Sequence, residues 1–432
     1  MAWSKTDLDT FIGEWKQGMG SYVYPTKRFK TVTIYAAWIR ELAVSDRAQG
    51  AILPHMLRRG TRAWPTRRIM EQQLESLYGA SFRADVGKLG DKQLLSFHIT
   101  VVDGQYLPGK PDTVISALDF LSEVIDHPRL VDGAFPTDAV EQEKVLVKRQ
   151  ISALINDKGQ YALSRLIELV ADGERFGLKK LGTPAEVDAV TPDQLVTLLT
   201  ESRESSPFVF LVVGDVDADR IHQHITQRWS RSYRRDVSTI QPYRGQHQGH
   251  TVIERQDVRQ GKLNLAYRTQ ITAKDPDYPA LVMYSGILGG FSHSKLFINV
   301  RERASLAYYA YSRVDPALAL MIIGAGIEFR DYEAARRIIE EQVSAMRSGH
   351  ISQEEMSFTL KAYENEILSE EDGPGQLIGR QLEQILIGGG LSGPEMIRAL
   401  GQVRPEDIVR VAQRVELDTV YFLTSEEEGH AE

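Results

Sequence analysis

The 432-residue sequence predicts a protein of two similar halves that both combine helices and sheet. Segments typical of strands alternate with segments of helical periodicity, which favours α+β or α/β layers over an all-α or all-β fold. After a polar, turn-rich stretch at 243–257, the alternation of strand-like and helix-like segments begins again. The segments "GAFPTDAVEQEKVLVKRQI" at 133–151 and "GHISQEEMSFTLKAYENEI" at 349–367 also align without gaps at an offset of 216 residues. This match supports an internal duplication.

The elements of the first half follow from composition and spacing. Segments rich in β-branched and aromatic residues predict strands, and apolar residues at helical spacing predict helices. In chain order we predict a strand at 29–42, a helix from about residue 46, a strand at 93–102, helices at 112–125 and 139–155, and a strand that runs into a turn and a helix at 205–221.

The second half repeats this alternation. We predict a strand at 262–271, a helix at 278–290, a strand at 317–329 and a helix at 332–349 that ends at a glycine. The chain therefore divides into a first half at 1–240, a linker at 241–255 and a second half at 256–432.

Composition excludes several classes of function. A net charge of −8 with evenly mixed signs does not indicate a nucleic-acid partner, and the absence of cysteine excludes disulfides and sulfur ligands. The longest apolar stretch, at 317–329, is much shorter than the roughly 20 residues of a membrane helix, and no secretory signal is apparent, so we expect a cytoplasmic protein without a membrane partner. Five arginines at 58–68 are interpreted as a solvated helix end rather than a binding patch.

The segment "AILPHMLRRGT" at 51–61 has the layout of a metal-binding helix. A hydrolytic zinc site needs three protein ligands and an open position for water. In the inverted motif His-x-x-Glu-His, two histidines one helical turn apart supply two ligands, and the glutamate between them is the general base. A third ligand must come from another helix.

This segment resembles the corresponding helix of the pitrilysin/insulinase family, the inverzincins that include the mitochondrial processing peptidases. The resemblance places His55 at the second histidine, Ala51 at the first and Pro54 at the catalytic glutamate. The third ligand of the family is a glutamate seven residues after another acidic residue; here Glu143 is followed by Gln150. Only His55 keeps the expected residue type among the four positions.

The replacements predict that no zinc and no other cofactor is held. A neutral amide such as that of Gln150 is a weak zinc ligand. Pro54 removes a helical hydrogen bond at a cost of roughly 3 kcal/mol, so we expect it to kink the helix. His55 is then an ordinary helix histidine in a chain without catalytic residues of its own.

A second segment, "GGFSHSKLFINVRERASLAYYAYS" at 289–312, is similar to the part of the same family that runs from a glycine-containing turn to an arginine and, seven residues later, a tyrosine. These are Arg301 and Tyr308. In the family this pair reaches the active site of a partner molecule or repeat, where it holds the peptide backbone and the developing oxyanion. A guanidinium and a phenol are suitable fixed donors for that charge. The alternative is that Arg301 belongs to a charged surface and Tyr308 packs in a sheet.

The resemblance covers nearly the whole chain and is nearest to a non-catalytic bacterial branch whose members accompany an HxxEH-bearing sister. It implies a clamshell of two halves, each an antiparallel-rich sheet flanked by helices. It also implies a peptidase subunit that pairs with such a sister and contributes substrate-positioning residues for a peptide substrate. A homodimer is the implied state of the chain when alone. The alternative is a peptide-binding or scaffold protein with no proteolytic role.

Overall fold

The computed structural model describes residues 10–229, 235–243 and 249–426. They form two compact units. The first unit contains residues up to 152, residues 178–238 and residues 371–386; the second contains 153–177, 239–370 and the residues from 387 onward.

Each unit contains one sheet. In chain order the strands are β1 Ile12–Lys16, β2 Met19–Pro25, β3 Thr31–Glu41, β4 Ser81–Leu89, β5 Lys92–Val102, β6 Phe208–Gly214, β7 His250–Gln256, β8 Gly261–Arg268, β9 Ala307–Asp315, β10 Leu320–Ile327 and β11 Glu416–Ser425.

Helices flank both sheets. They are α1 Arg47–Leu57, α2 Arg67–Ser76, α3 Thr113–Asp126, α4 Thr137–Asn156, α5 Lys158–Ala171, α6 Pro184–Asp188, α7 Pro192–Glu204, α8 Ala218–Trp229, α9 Tyr278–Ser285, α10 Tyr332–Arg347, α11 Gln353–Glu370, α12 Pro374–Ile387, α13 Gly393–Leu400 and α14 Pro405–Ala412. Two π-helical segments, Gly286–Gly290 and Phe297–Arg303, follow α9.

The two sheets share the order of five strands, and the first sheet has β1 as an additional edge strand. The first has six strands in the order β1-β2-β6-β3-β5-β4, and the second has five in the order β7-β11-β8-β10-β9. In each sheet one strand pair is parallel, β2 with β6 and β7 with β11, and all other neighbours are antiparallel. The predicted α+β fold with two similar, antiparallel-rich halves is therefore confirmed.

The helices repeat in the same way. The starts of α4 and α11, at Thr137 and Gln353, are separated by the 216 residues found from the sequence alone, and so are the starts of α5 and α12, at Lys158 and Pro374. However, α5 belongs to the second unit and α12 to the first. The units are thus discontinuous in sequence, and the continuous halves at 1–240 and 256–432 stay a prediction.

The linker predicted at 241–255 contains part of a strand. Residues His250–Gln256 form β7, which pairs in parallel with β11. Five residues of that linker, 244–248, lie outside the described residues.

The core of the first unit fixes the position of α1. The β3 residue Trp38 is fully buried, and its ring makes an edge contact with Phe97 of β5 at 5.5 Å between centroids. Ala51, Ile52 and Leu53 of α1 are also fully buried in this core, which anchors the motif helix along the sheet.

No helix among the described residues combines the length and the apolar character needed to span a membrane.

Candidate functional site

The motif helix α1 carries Ala51, Pro54 and His55 at their predicted positions in one uninterrupted helical segment. Pro54 does not end the helix, because Arg58 N–H still donates to the Pro54 carbonyl at 3.3 Å. Ala51 is fully buried. The position of the first histidine of the motif is therefore filled by a small core residue.

The only remaining acidic position of the motif, Glu143, lies on α4 and is 7% exposed. Its carboxylate accepts a hydrogen bond from Nε of Arg59 at 2.6 Å, and the same guanidinium donates to Gln142 at 2.8 Å. Gln150, two helical turns further along α4, is exposed to solvent. The carboxylate that could face a metal is thus already neutralised by an arginine.

The pairing of Arg59 corrects, for this residue alone, our interpretation of the arginine group at 58–68 as a solvated helix end; Arg62, Arg67 and Arg68 are exposed. Arg59 is a partner of a buried carboxylate, with a side chain that is only 31% exposed. The sequence contains no signal for this contact, since 84 residues separate the two partners.

His55 has a half-buried side chain whose Nε2 atom is buried without a hydrogen-bond partner in the part of the chain that the structure describes. Burial lowers the pKa of His55, and this effect exceeds the opposing influence of the Glu143 carboxylate. The imidazole is therefore neutral at physiological pH.

The residues at this site do not fit a zinc ion. One imidazole is present, the nearby carboxylate is paired with Arg59, and the described residues contain no cluster of three histidine or acidic side chains arranged to hold a metal. A hydrolytic zinc site needs three such ligands. No step of hydrolysis can be assigned to this helix.

A cavity of about 560 Å³ lies beside His55 and Glu143 in the first unit. Apolar side chains, including Met56, Phe135 and Leu146, form part of its wall, and arginines form another part. This volume is within the range of pockets for small organic molecules, roughly 300–1,000 Å³.

Arg301 lies in the second unit, near the end of the π-helical segment Phe297–Arg303. Its side chain is exposed, and its guanidinium carbon is 4.6 Å from the centroid of the Phe297 ring. A cation at this distance from an aromatic face is weakly held by the ring. The contact limits the directions in which the guanidinium can point.

Tyr308 is the second residue of β9, an edge strand of the second sheet. Its side chain is 61% exposed, so it does not pack in the sheet as the alternative interpretation expected. The hydroxyl donates to a carboxylate oxygen of Glu328 at 2.5 Å, and this hydrogen bond raises the pKa of Tyr308. The phenol therefore stays protonated at neutral pH.

The fold and the degenerate site together define an inactive homologue of a metallopeptidase. Residues 189–363 match the family model described as "Peptidase M16 inactive domain". The chain is 34% identical to a Bacillus subtilis (strain 168) protein described as "Probable inactive metalloprotease YmfF", over 97% of this chain and 99% of that protein. The chain belongs to the M16 peptidase family, the pitrilysin/insulinase family that its motif helix resembles, as an inactive member.

Solved structures show the same fold. A conserved protein from Enterococcus faecalis V583 is similar to this chain with a TM-score of 0.89 and 27% identity, covering 97% of this chain and all of that one. A peptidase M16 inactive domain from Pseudomonas fluorescens is similar with a TM-score of 0.77 and 16% identity, covering 98% and 100%.

Proposed function

We propose that this chain is the non-catalytic subunit of a peptidase and that it pairs with an HxxEH-bearing sister chain. In this assembly the sister supplies the zinc ion and the general base, and this chain supplies Arg301 and Tyr308 to position the peptide. The observation that carries the proposal is the contrast within one chain: the metal-motif positions are replaced, whereas Arg301 and Tyr308 are both exposed.

The chemistry of the pair suits peptide binding. A guanidinium restrained by an aromatic ring and a protonated phenol can both donate hydrogen bonds to a peptide carbonyl. Donors of this kind stabilise the oxyanion that forms on a scissile carbonyl, and each contributes several kcal/mol in a dry cleft. Glu328 holds the phenol of Tyr308 in one orientation until a substrate carbonyl competes for its hydrogen bond.

Peptide cleavage by the purified complex tests the proposal. The chain is co-expressed with an HxxEH-bearing M16 protein of similar length, and kcat/KM for a peptide library is measured together with the zinc content. We expect Arg301→Ala and Tyr308→Phe to lower kcat/KM by about 10²-fold or more with unchanged zinc content, which is the usual effect of removing an oxyanion donor.

Arg303→Ala is the matched control for Arg301→Ala. Arg303 is exposed in the same π-helical segment and donates to Asn299 rather than stacking on Phe297. Its variant should cleave like the native complex. Undiminished cleavage after the Arg301 change contradicts substrate positioning, and a complex that binds peptides without cleaving them supports the scaffold function instead.

A further inference from the structure

The cavity beside His55 carries an excess of positive charge. Four arginines line it, Arg58, Arg59, Arg67 and Arg129, against two acidic residues, Asp138 and Glu143. The pair of Arg59 with Glu143 removes one charge of each sign. Three arginines therefore face one aspartate.

These three guanidiniums are poorly compensated. Within the described chain, Arg58 and Arg129 have no carboxylate within 4.0 Å, the limit for an ion pair. Arg129 donates only to the Pro65 carbonyl, at 3.1 Å, and Arg67 reaches Glu71 at 3.7 Å on an exposed helix face.

Favourable interaction with a helix dipole explains the arginine at one of these positions but not at another. Arg58 follows the last residue of α1, where a cation interacts favourably with the helix dipole. Arg67 is the first residue of α2, and that helix has no acidic residue in its first turn. A cation at a helix N-terminus is unfavourable, and the exposed pair with Glu71 at 3.7 Å compensates this only weakly.

Backbone groups add to the positive potential. The cavity is lined by Thr66, the N-cap of α2, and by Asp138 and Ala139 in the first turn of the 20-residue helix α4. The N–H groups of a first helical turn have no partner inside the helix and favour anions. Donors thus approach the cavity from the end of α1, the start of α2, the loop at Arg129 and the start of α4.

We infer that this cavity binds the phosphate group of a small molecule. Guanidinium groups on three separate segments match the several oxygens of a tetrahedral phosphate better than the single plane of a carboxylate. The apolar wall of Met56, Phe135 and Leu146 accommodates an organic group attached to the phosphate.

Binding to the full-length chain tests this site. Inorganic phosphate and phenyl phosphate are titrated by calorimetry at an ionic strength held constant with chloride. We expect saturable binding of both, and Arg58→Gln and Arg129→Gln should each raise the Kd about tenfold or more, the usual effect of removing a charge-assisted hydrogen bond. A lower Kd for phenyl phosphate assigns the site to phosphate esters, and equal values assign it to free phosphate.

Arg149→Gln is the matched control because Arg149 is exposed on α4 and does not line the cavity. It removes the same charge and should leave the Kd unchanged. The inference is overturned if neither ligand saturates, or if the Arg149 change weakens binding as much as the Arg129 change. Circular dichroism without ligand verifies that each variant is folded.

Discussion

At the scale of single residues, the central feature is a buried carboxylate with an internal counter-ion. Glu143 is the acidic residue seven positions before the replaced ligand Gln150, and it is bound to Arg59 at 2.6 Å. The sequence showed which motif positions were replaced, because those positions are defined by spacing within each of the two helices α1 and α4. It did not show that Arg59 reaches Glu143, because contacts between distant segments leave no periodic signal.

Removing Arg59 should destabilise the chain. Arg59→Gln leaves Glu143 at 7% exposure without its cation, so we expect the free energy of unfolding to fall by about 2–3 kcal/mol. Urea denaturation measures the loss. Arg337→Gln is the control, since Arg337 and Glu341 are 67% and 53% exposed, and such surface pairs contribute less than about 1 kcal/mol. Equal losses in the two variants would contradict a structural role for the Arg59 pair.

At the scale of elements, a strongly apolar segment was predicted correctly as a strand, whereas a polar edge strand was not. The strand predicted at 317–329 is β10, whose residues Leu320–Ile327 are all buried. In contrast, β7 is an edge strand with mostly exposed or half-buried residues, and its polar sequence led us to place most of it in a linker. Pairing along a sheet edge depends on backbone hydrogen bonds, which side-chain patterns do not report.

Two glycines of β10 make room for aromatic rings on β9. A Cβ atom at Gly326 would lie 2.4 Å from the Tyr309 ring, and one at Gly324 would lie 2.6 Å from the Tyr311 ring. We expect Gly326→Ala to reduce the free energy of unfolding by about 1–3 kcal/mol through overpacking. In a Tyr309→Ala background the same change should have little effect, which a double-mutant cycle measures.

Gly379→Ala serves as the control for this cycle. Gly379 is on α12, and a Cβ atom there meets nothing within 4 Å. Alanine should be neutral or stabilise this helix by up to about 1 kcal/mol. If Gly326→Ala also leaves the free energy of unfolding unchanged, the packing of the Tyr309 ring does not require glycine at this position.

At the scale of the whole molecule, the duplication was predictable but the composition of the units was not. The 216-residue offset found in one pair of segments also relates α5 to α12. No local pattern indicated that α5 contacts strands of the second unit, where Tyr161 donates to Glu254 at 2.6 Å. The same holds for Glu371, which pairs with Arg28 of the first unit at 2.6 Å.

The discontinuous units predict how fragments behave. A fragment of residues 1–240 lacks 371–386 and carries α5 without β7, β8 and β11. We expect fragments 1–240 and 241–432 to be insoluble or poorly folded when expressed separately and to form a folded complex when co-expressed. Hydrogen exchange measures the protection of backbone amides in each separate fragment and in the co-expressed complex. Two independently folded fragments would show that the continuous halves are self-sufficient.

The burial of the motif helix α1 also bears on the ancestry of the chain. Regaining a metal requires a histidine at Ala51, a glutamate at Pro54 and a glutamate at Gln150, and the first two positions are buried. Each of these two changes made alone inserts a polar group into a packed interior with no ion to bind it. Reversion by single steps therefore passes through less stable intermediates.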